Sequence, residues 1–82
     1  MTNHPNRGWR GRWTVTGDEA RHGPSGLVVH FHRVEGAWDG EATNGQDVYI
    51  ALRAAGTQNI DRMLARLMRE AGDIFSERQD HE

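Results

Sequence analysis

A β-hairpin between residues 27 and 42 constrains the fold of this chain more than any other sequence feature. Residues 27–34 form the first strand, with alternation of apolar and polar side chains over residues 29–32; Glu35-Gly36 follows as a two-residue turn, and residues 37–42 form the return strand. A two-residue turn fixes the cross-strand register, because the residues that flank the turn must pair with each other. The register therefore predicts the pairs Val34–Ala37, His32–Asp39, Phe31–Gly40 and His30–Glu41.

This register divides the side chains of the hairpin between two faces of a sheet. The inner face carries the apolar side chains Leu27, Val29 and Phe31. The Phe31 ring is expected to cover the bare backbone of Gly40, as aromatic rings do for glycine in sheets. His30 and His32 share the opposite face, and each histidine is opposite a carboxylate. The hairpin thus predicts one core face and one polar face.

The segments on either side of the hairpin carry weaker patterns. Residues 13–16 alternate in hydropathy and predict a half-buried strand, whereas residues 18–26 are polar and predict a turn-rich connection. Asn44-Gly45 is a strong turn signal, and we favour a further strand over residues 48–52. A helix over the same residues would leave Ile50 on its polar side.

The C-terminal segment predicts one long helix. Its apolar side chains fall within an arc of about 140° when they are placed at about 100° per residue; they are Ile60, Met63, Leu64, Leu67, Met68, Ala71, Ile74 and Phe75. Asn59 is a suitable N-cap, and the helix is expected to end near Glu77 because Arg78 would return to the apolar face. The predicted fold class is α+β, an antiparallel meander of three to four strands packed against one long C-terminal helix.

Length and composition favour a single domain. The chain has 82 residues and no cysteine, which excludes a disulfide framework, a thiolate metal site and a cysteine nucleophile. We predict a mobile basic arm over residues 1–12, one domain over residues 13–78 and a polar tail over residues 79–82. No apolar stretch approaches the roughly 18 residues that span a bilayer, so the expectation is a cytoplasmic protein with no membrane partner.

The N-terminal arm is the candidate nucleic-acid-binding site. All ten basic residues of the chain are arginine, and the net charge is +2 over residues 1–36 and −4 over residues 37–82. Cations and an aromatic ring alternate in the arm, which is compatible with phosphate contact and base stacking; the residues are Arg7, Trp9, Arg10 and Arg12. The charge gradient is too shallow to require a nucleic-acid partner.

The polar face of the hairpin is the candidate metal site. Two histidines at positions i and i+2, with two carboxylates opposite them, offer nitrogen and oxygen ligands for zinc or another divalent ion; the set is His30, His32, Asp39 and Glu41. Solvated cross-strand ion pairs are the favoured interpretation of the same residues. No cofactor is predicted.

Two further patterns bear on function. Residues 51–57 before the long helix suggest the turn of a helix-turn-helix motif, but Arg62 occupies a position where that motif needs an apolar residue. The chain carries no phosphate-binding loop, dinucleotide fingerprint or catalytic triad motif, which favours a non-enzymatic role.

Apolar side chains outside the predicted core indicate an association surface. The outer face of the sheet carries more apolar surface than one helix on the inner face can cover; the candidate interface residues are Val28, Val34 and Tyr49. The expected function is a small non-enzymatic binding or regulatory protein that acts through protein–protein contacts as a homodimer. The alternative is a nucleic-acid-binding protein that uses its sheet and arm, and the third hypothesis is a small metal- or ligand-binding module.

Overall fold

The computed structural model describes residues 8–80, which form a four-stranded antiparallel sheet and two helices. The strands follow one another in the order β1-β2-β3-β4, and a short 3-10 helix precedes them. The elements are β1 (Trp13–Thr16), β2 (Glu19–His22), β3 (Val28–Val34), β4 (Ala37–Ala42), α1 (Gly45–Ala54) and α2 (Ile60–Asp80). The predicted α+β meander against a long C-terminal helix is confirmed.

The β3–β4 hairpin has the predicted register throughout. Val34 pairs with Ala37 across the turn, and all the pairs expected further along the strands are present. Glu35 and Gly36 have φ angles of 53° and 85°, the positive values that a type I′ turn needs at both central positions. The twist of this turn matches the twist of the strands, so the short sequence Glu35-Gly36 sets the geometry of the whole hairpin.

Strand β2 corrects the prediction of a polar connection over residues 18–26. Gly17 has a φ of 59° at the first position of a two-residue turn, which suits a type II′ hairpin between β1 and β2. Ala20 and His22 point inward and are buried, while Arg21 is exposed. The hydropathy signal was weak because the two inward side chains of β2 are a small one and a polar one.

Helix α1 replaces the strand expected over residues 48–52, and that prediction was wrong. Val48 is buried and Ile50 is 57% exposed, as the helical alternative required. The Asn44 side chain accepts a hydrogen bond from the Val28 N–H at 2.9 Å and donates one to the Gly26 carbonyl at 2.9 Å. The Asn44 side chain thus bonds to backbone groups at the start of β3, and the chain leaves the sheet after Asn44 and begins a helix.

Helix α2 buries the predicted apolar stripe. Leu67, Ala71 and Phe75 are buried against the sheet. Gly72 does not end the helix, and no atom lies within 4 Å of a Cβ built at that position. The helix continues to Asp80, past the predicted end near Glu77. Arg78 stays exposed because it lies in an open groove beside the β1–β2 turn.

Regular structure extends beyond the predicted limits of the domain at both ends. Residues Arg10–Arg12 of the predicted arm form the 3-10 helix, and Trp9 packs against the core. Gln79 of the predicted tail is half-buried in α2. Residues 1–7 of the arm and 81–82 of the tail lie outside the described residues.

The core lies between the inner face of the sheet and the two helices. Its buried side chains are Trp13, Ala20, Leu27, Val29, Phe31, Val48, Leu67, Ala71 and Phe75. The outer face of the sheet is open, with exposed side chains at Thr14, Thr16, Arg21, His30, His32, Asp39 and Glu41. This arrangement leaves one polar sheet face and the surfaces of the helices available for function.

Candidate functional site

The outer sheet face brings the two predicted histidines together with carboxylates. His30 lies between Glu19 on β2 and Glu41 on β4 in the cross-strand register, and the His30 and His32 ring centroids are 6.5 Å apart. His32 Nε2 is 3.7 Å from Asp39 Oδ2, which is too long for a hydrogen bond. Both predicted register pairs are present, and of the two only His32 and Asp39 approach within 4 Å among the described residues, as an exposed pair of the kind that contributes little to stability.

The same four residues do not gather around a common point. Within residues 8–80, no group of three or more histidine, cysteine, aspartate or glutamate side chains is arranged to hold a metal ion. His30, His32, Asp39 and Glu41 share one face as the sequence predicted, so the geometry fits solvated ion pairs. The metal site stays a prediction without support from the structure.

Two of the candidate nucleic-acid residues, Trp9 and Arg10, form contacts within the protein. The Arg10 guanidinium carbon lies 4.4 Å from the centroid of the Trp9 ring, and Arg10 Nη2 donates a hydrogen bond to Glu77 Oε2 at 2.7 Å. The hydrogen bond to Glu77 raises the pKa of Arg10 above its ordinary value. Arg12 is exposed, and Arg7 lies outside the described residues. Of the three described residues, Trp9 and Arg10 are thus engaged in contacts within the protein, and Arg12 is exposed.

The three candidate interface residues are also separated. Val28 and Val34 lie at opposite ends of β3, and Tyr49 lies on α1. Val34 is 46% exposed, whereas Val28 and Tyr49 are half-buried. Only Val34 thus presents a largely free apolar side chain.

An exposed tryptophan at the same end of the hairpin as Val34 was missed by sequence reasoning; Trp38 pairs with Arg33 on the inner-face side of the tip, whereas Val34 pairs with Ala37 on the outer-face side. Trp38 is 39% exposed, and the Arg33 guanidinium carbon lies 5.3 Å from the centroid of its ring. The Trp38 ring meets Phe75 edge-on, with centroids 5.1 Å apart. We name Arg33, Val34, Ala37 and Trp38 the hairpin-tip patch. The register already paired Arg33 with Trp38 and Val34 with Ala37, so the signal was present in the sequence.

A buried histidine lies on the opposite side of the sheet. His22 is 4% exposed, its Nδ1 is 2.7 Å from Ser25 Oγ, and its ring centroid is 4.9 Å from that of Trp13. Trp13 Nε1 donates a hydrogen bond to Glu70 Oε1 at 3.0 Å. Because the imidazole is enclosed by these groups, a substrate cannot reach it, and the cluster ties β2 to α2 as part of the core.

Burial makes this histidine a source of acid sensitivity. Burial lowers the pKa of His22; Glu70 opposes this effect, and the nearby Arg12 and Arg66 add to it. The folded state therefore favours the neutral ring, and its stability contribution is present above the unfolded pKa of about 6.5 and lost as the pH falls through the folded pKa. We expect the melting temperature to fall between pH 7 and pH 5. Melts of the wild type and His22→Gln check this, because equal falls in both would contradict the assignment.

Neither a membrane-spanning helix among the described residues nor a known relative helps to assign these surfaces. In the described range 8–80, neither helix combines the length and the apolar character that crossing a membrane requires. The chain matches no protein-family model, no curated protein and no solved structure.

Proposed function

We propose that this protein is a small, non-enzymatic binding protein that acts through protein–protein contacts as a homodimer. The observation that supports the proposal is the exposure of Val34 and Trp38 at the tip of one hairpin. We include a cytoplasmic location in the proposal, as the sequence led us to expect.

The hairpin-tip patch has the composition of a protein contact surface. Tryptophan and arginine are enriched among the residues that dominate binding energy at interfaces, and Trp38 and Arg33 are stacked on each other here. Phe75 holds the Trp38 ring from the core side. A ring that is already fixed loses little conformational entropy when a partner covers it, so Trp38 suits the centre of an interface.

The charges around the patch favour a second copy of the chain as the partner. Arg33 and Glu35 flank Val34 in the sequence, and Arg33 Nη2 donates a hydrogen bond to the Gly36 carbonyl at 3.1 Å, so the tip carries one positive and one negative side chain. In a two-fold dimer the same patch meets itself, and Arg33 of each copy can face Glu35 of the other. A small domain also has a limited core and gains stability from association.

The oligomeric state tests the proposal directly. Sedimentation equilibrium over a range of concentrations is expected to give a dimer for the wild type. Val34→Ser is expected to weaken the dimer by roughly tenfold or more, because it removes apolar area from the interface. Ile50→Ser is the matched control, since Ile50 is more exposed than Val34 but lies on α1. A wild type that stays monomeric at all concentrations would contradict the homodimer.

A charge exchange tests the two-fold arrangement. Arg33→Glu and Glu35→Arg each place like charges opposite one another in the dimer, and each single variant is expected to dissociate. The double variant restores opposite charges and is expected to dimerise again. A double variant as weak as the singles would place the contact elsewhere on the protein.

The nucleic-acid alternative has less support. Arg10 lies over the Trp9 ring and is paired with Glu77, so these two described residues of the arm are not free groups. No observation on the described residues favours this alternative over the homodimer.

A further inference from the structure

An open groove between α1 and the start of α2 is a separate surface that the proposed homodimer does not use. The groove is open to solvent and has a volume of about 480 Å³. Its lining includes Tyr49 and Arg53 from α1 and Arg62 from α2. Small-molecule sites are typically clefts of about 300–1,000 Å³. The groove is therefore large enough for a small organic ligand.

The arginines of this groove, unlike Arg10 and Arg66, have no carboxylate partner among the described residues. Among the described residues, the side chains of Arg53 and Arg62 form no hydrogen bond or ion pair, whereas Arg10 is paired with Glu77 and Arg66 with Glu70. The only acidic side chain in the lining is Asp61, which gives the lining a net charge of +1. Arginine presents a planar fork of N–H donors that fits phosphate oxygens in pairs.

A second cavity continues the basic surface along α2. It has a volume of about 320 Å³ and shares Arg62 with the first cavity. The half-buried Tyr49, one turn before Arg53 on α1, also lines the first cavity and supplies an aromatic ring and a hydroxyl group. The groove thus combines cations that suit phosphate with a ring that suits a planar heterocycle.

We propose that the groove binds a nucleoside phosphate, with the phosphate at Arg53 and Arg62 and the base against Tyr49. Asp61 repels a bound anion, so the carboxylate limits the affinity of the groove. Loss of the Arg53 charge should weaken binding of an anion, and loss of the Asp61 charge should strengthen it. These opposite effects on affinity identify the ligand as an anion.

Titration with ADP, followed by NMR chemical shifts of the full chain, tests the proposal. ADP is expected to shift the amides around residues 49–62. Arg53→Gln and Arg62→Gln are each expected to raise the Kd by roughly tenfold, as loss of a charge-assisted hydrogen bond does. Asp61→Asn is expected to lower the Kd. Arg69→Gln is the matched control, because Arg69 is an exposed arginine of α2 outside the groove lining.

Adenosine, inorganic phosphate and the variant Tyr49→Leu separate the contribution of the base from that of the phosphate. Adenosine and inorganic phosphate are each expected to bind more weakly than ADP, and Tyr49→Leu is expected to weaken ADP but leave inorganic phosphate unchanged. Absence of ADP binding at millimolar concentration would overturn the proposal. Equal Kd values for Arg53→Gln and the Arg69→Gln control would overturn it as well. A single-stranded oligonucleotide that binds far more tightly than ADP through the same arginines would overturn the small-molecule form of the proposal.

Discussion

Phe31→Ala is expected to lower the free energy of unfolding by about 3–5 kcal/mol, as truncation of a buried aromatic side chain does. Phe31 is 5% exposed and stacks on Phe75, with ring centroids 4.1 Å apart and planes 10° from parallel. Its loss therefore removes contacts from the sheet and from α2 together. Domains of this size have a total stability of about 5–10 kcal/mol, so the variant would lie near the limit of folding.

Urea unfolding of Phe31→Ala and Val28→Ala measures this effect. Val28 lies on the same strand but on the outer face, where it is half-buried, so its truncation is expected to cost only about 1 kcal/mol. Phe31→Leu retains part of the buried volume and provides a measurable intermediate if the alanine variant does not fold. Equal losses for Phe31→Ala and Val28→Ala would show that the faces are assigned wrongly or that a partner buries Val28.

Gly40→Ala is expected to destabilise the protein by about 1–3 kcal/mol, the range for overpacked cores. A Cβ built on Gly40 would lie 2.6 Å from Phe31 Cε1. The ring cannot swing away freely, because Phe75 stacks on it. Alanine is otherwise more favourable than glycine in a strand by roughly 0.5–1 kcal/mol, so a net loss of stability isolates the steric contact.

A double-mutant cycle attributes this loss to the ring. In the Phe31→Leu background the cost of Gly40→Ala is expected to fall markedly, because neighbouring substitutions that share a contact are not additive. Gly72→Ala is the matched control, since no atom lies within 4 Å of a Cβ at that position. That substitution is expected to stabilise the helix by roughly 0.5–1 kcal/mol. Equal costs of Gly40→Ala in both backgrounds would contradict the role of Phe31.

The elements that the sequence predicted correctly depend on local information. The two-residue turn at Glu35-Gly36 defines the β3–β4 register without reference to the rest of the chain. The apolar stripe of α2 is likewise contained in one continuous segment. Both features were therefore readable before the structure was known.

The elements that were missed depend on distant contacts. The sequence 48–52 fits either a strand or a helix, and the choice is decided by Asn44, whose side chain bonds to Val28 and Gly26 on an earlier part of the chain. His22 of β2 is buried only because Trp13 and α2 surround it. Hydropathy at a single position cannot carry that information, because it describes the residue and not its neighbours.

The candidate sites divide in the same way. The pairing of His32 with Asp39 followed from the hairpin register. The position of Trp38 depends on a distant contact, because Phe75 of α2 meets its ring edge-on and leaves the ring partly exposed. The groove beside Arg53 and Arg62 exists only because residues 45–54 form a helix, so the strand prediction concealed it.

The open outer face of the sheet has an evolutionary consequence. Side chains alternate between the two faces of a strand, so the exposed Thr14, Arg21 and His30 can be replaced without a change to the core residues beside them. Selection for folding acts on the inner face, while the outer face is constrained mainly by strand propensity and solubility. A lineage of such chains can therefore acquire new surface chemistry there by successive substitutions without passing through an unfolded intermediate sequence.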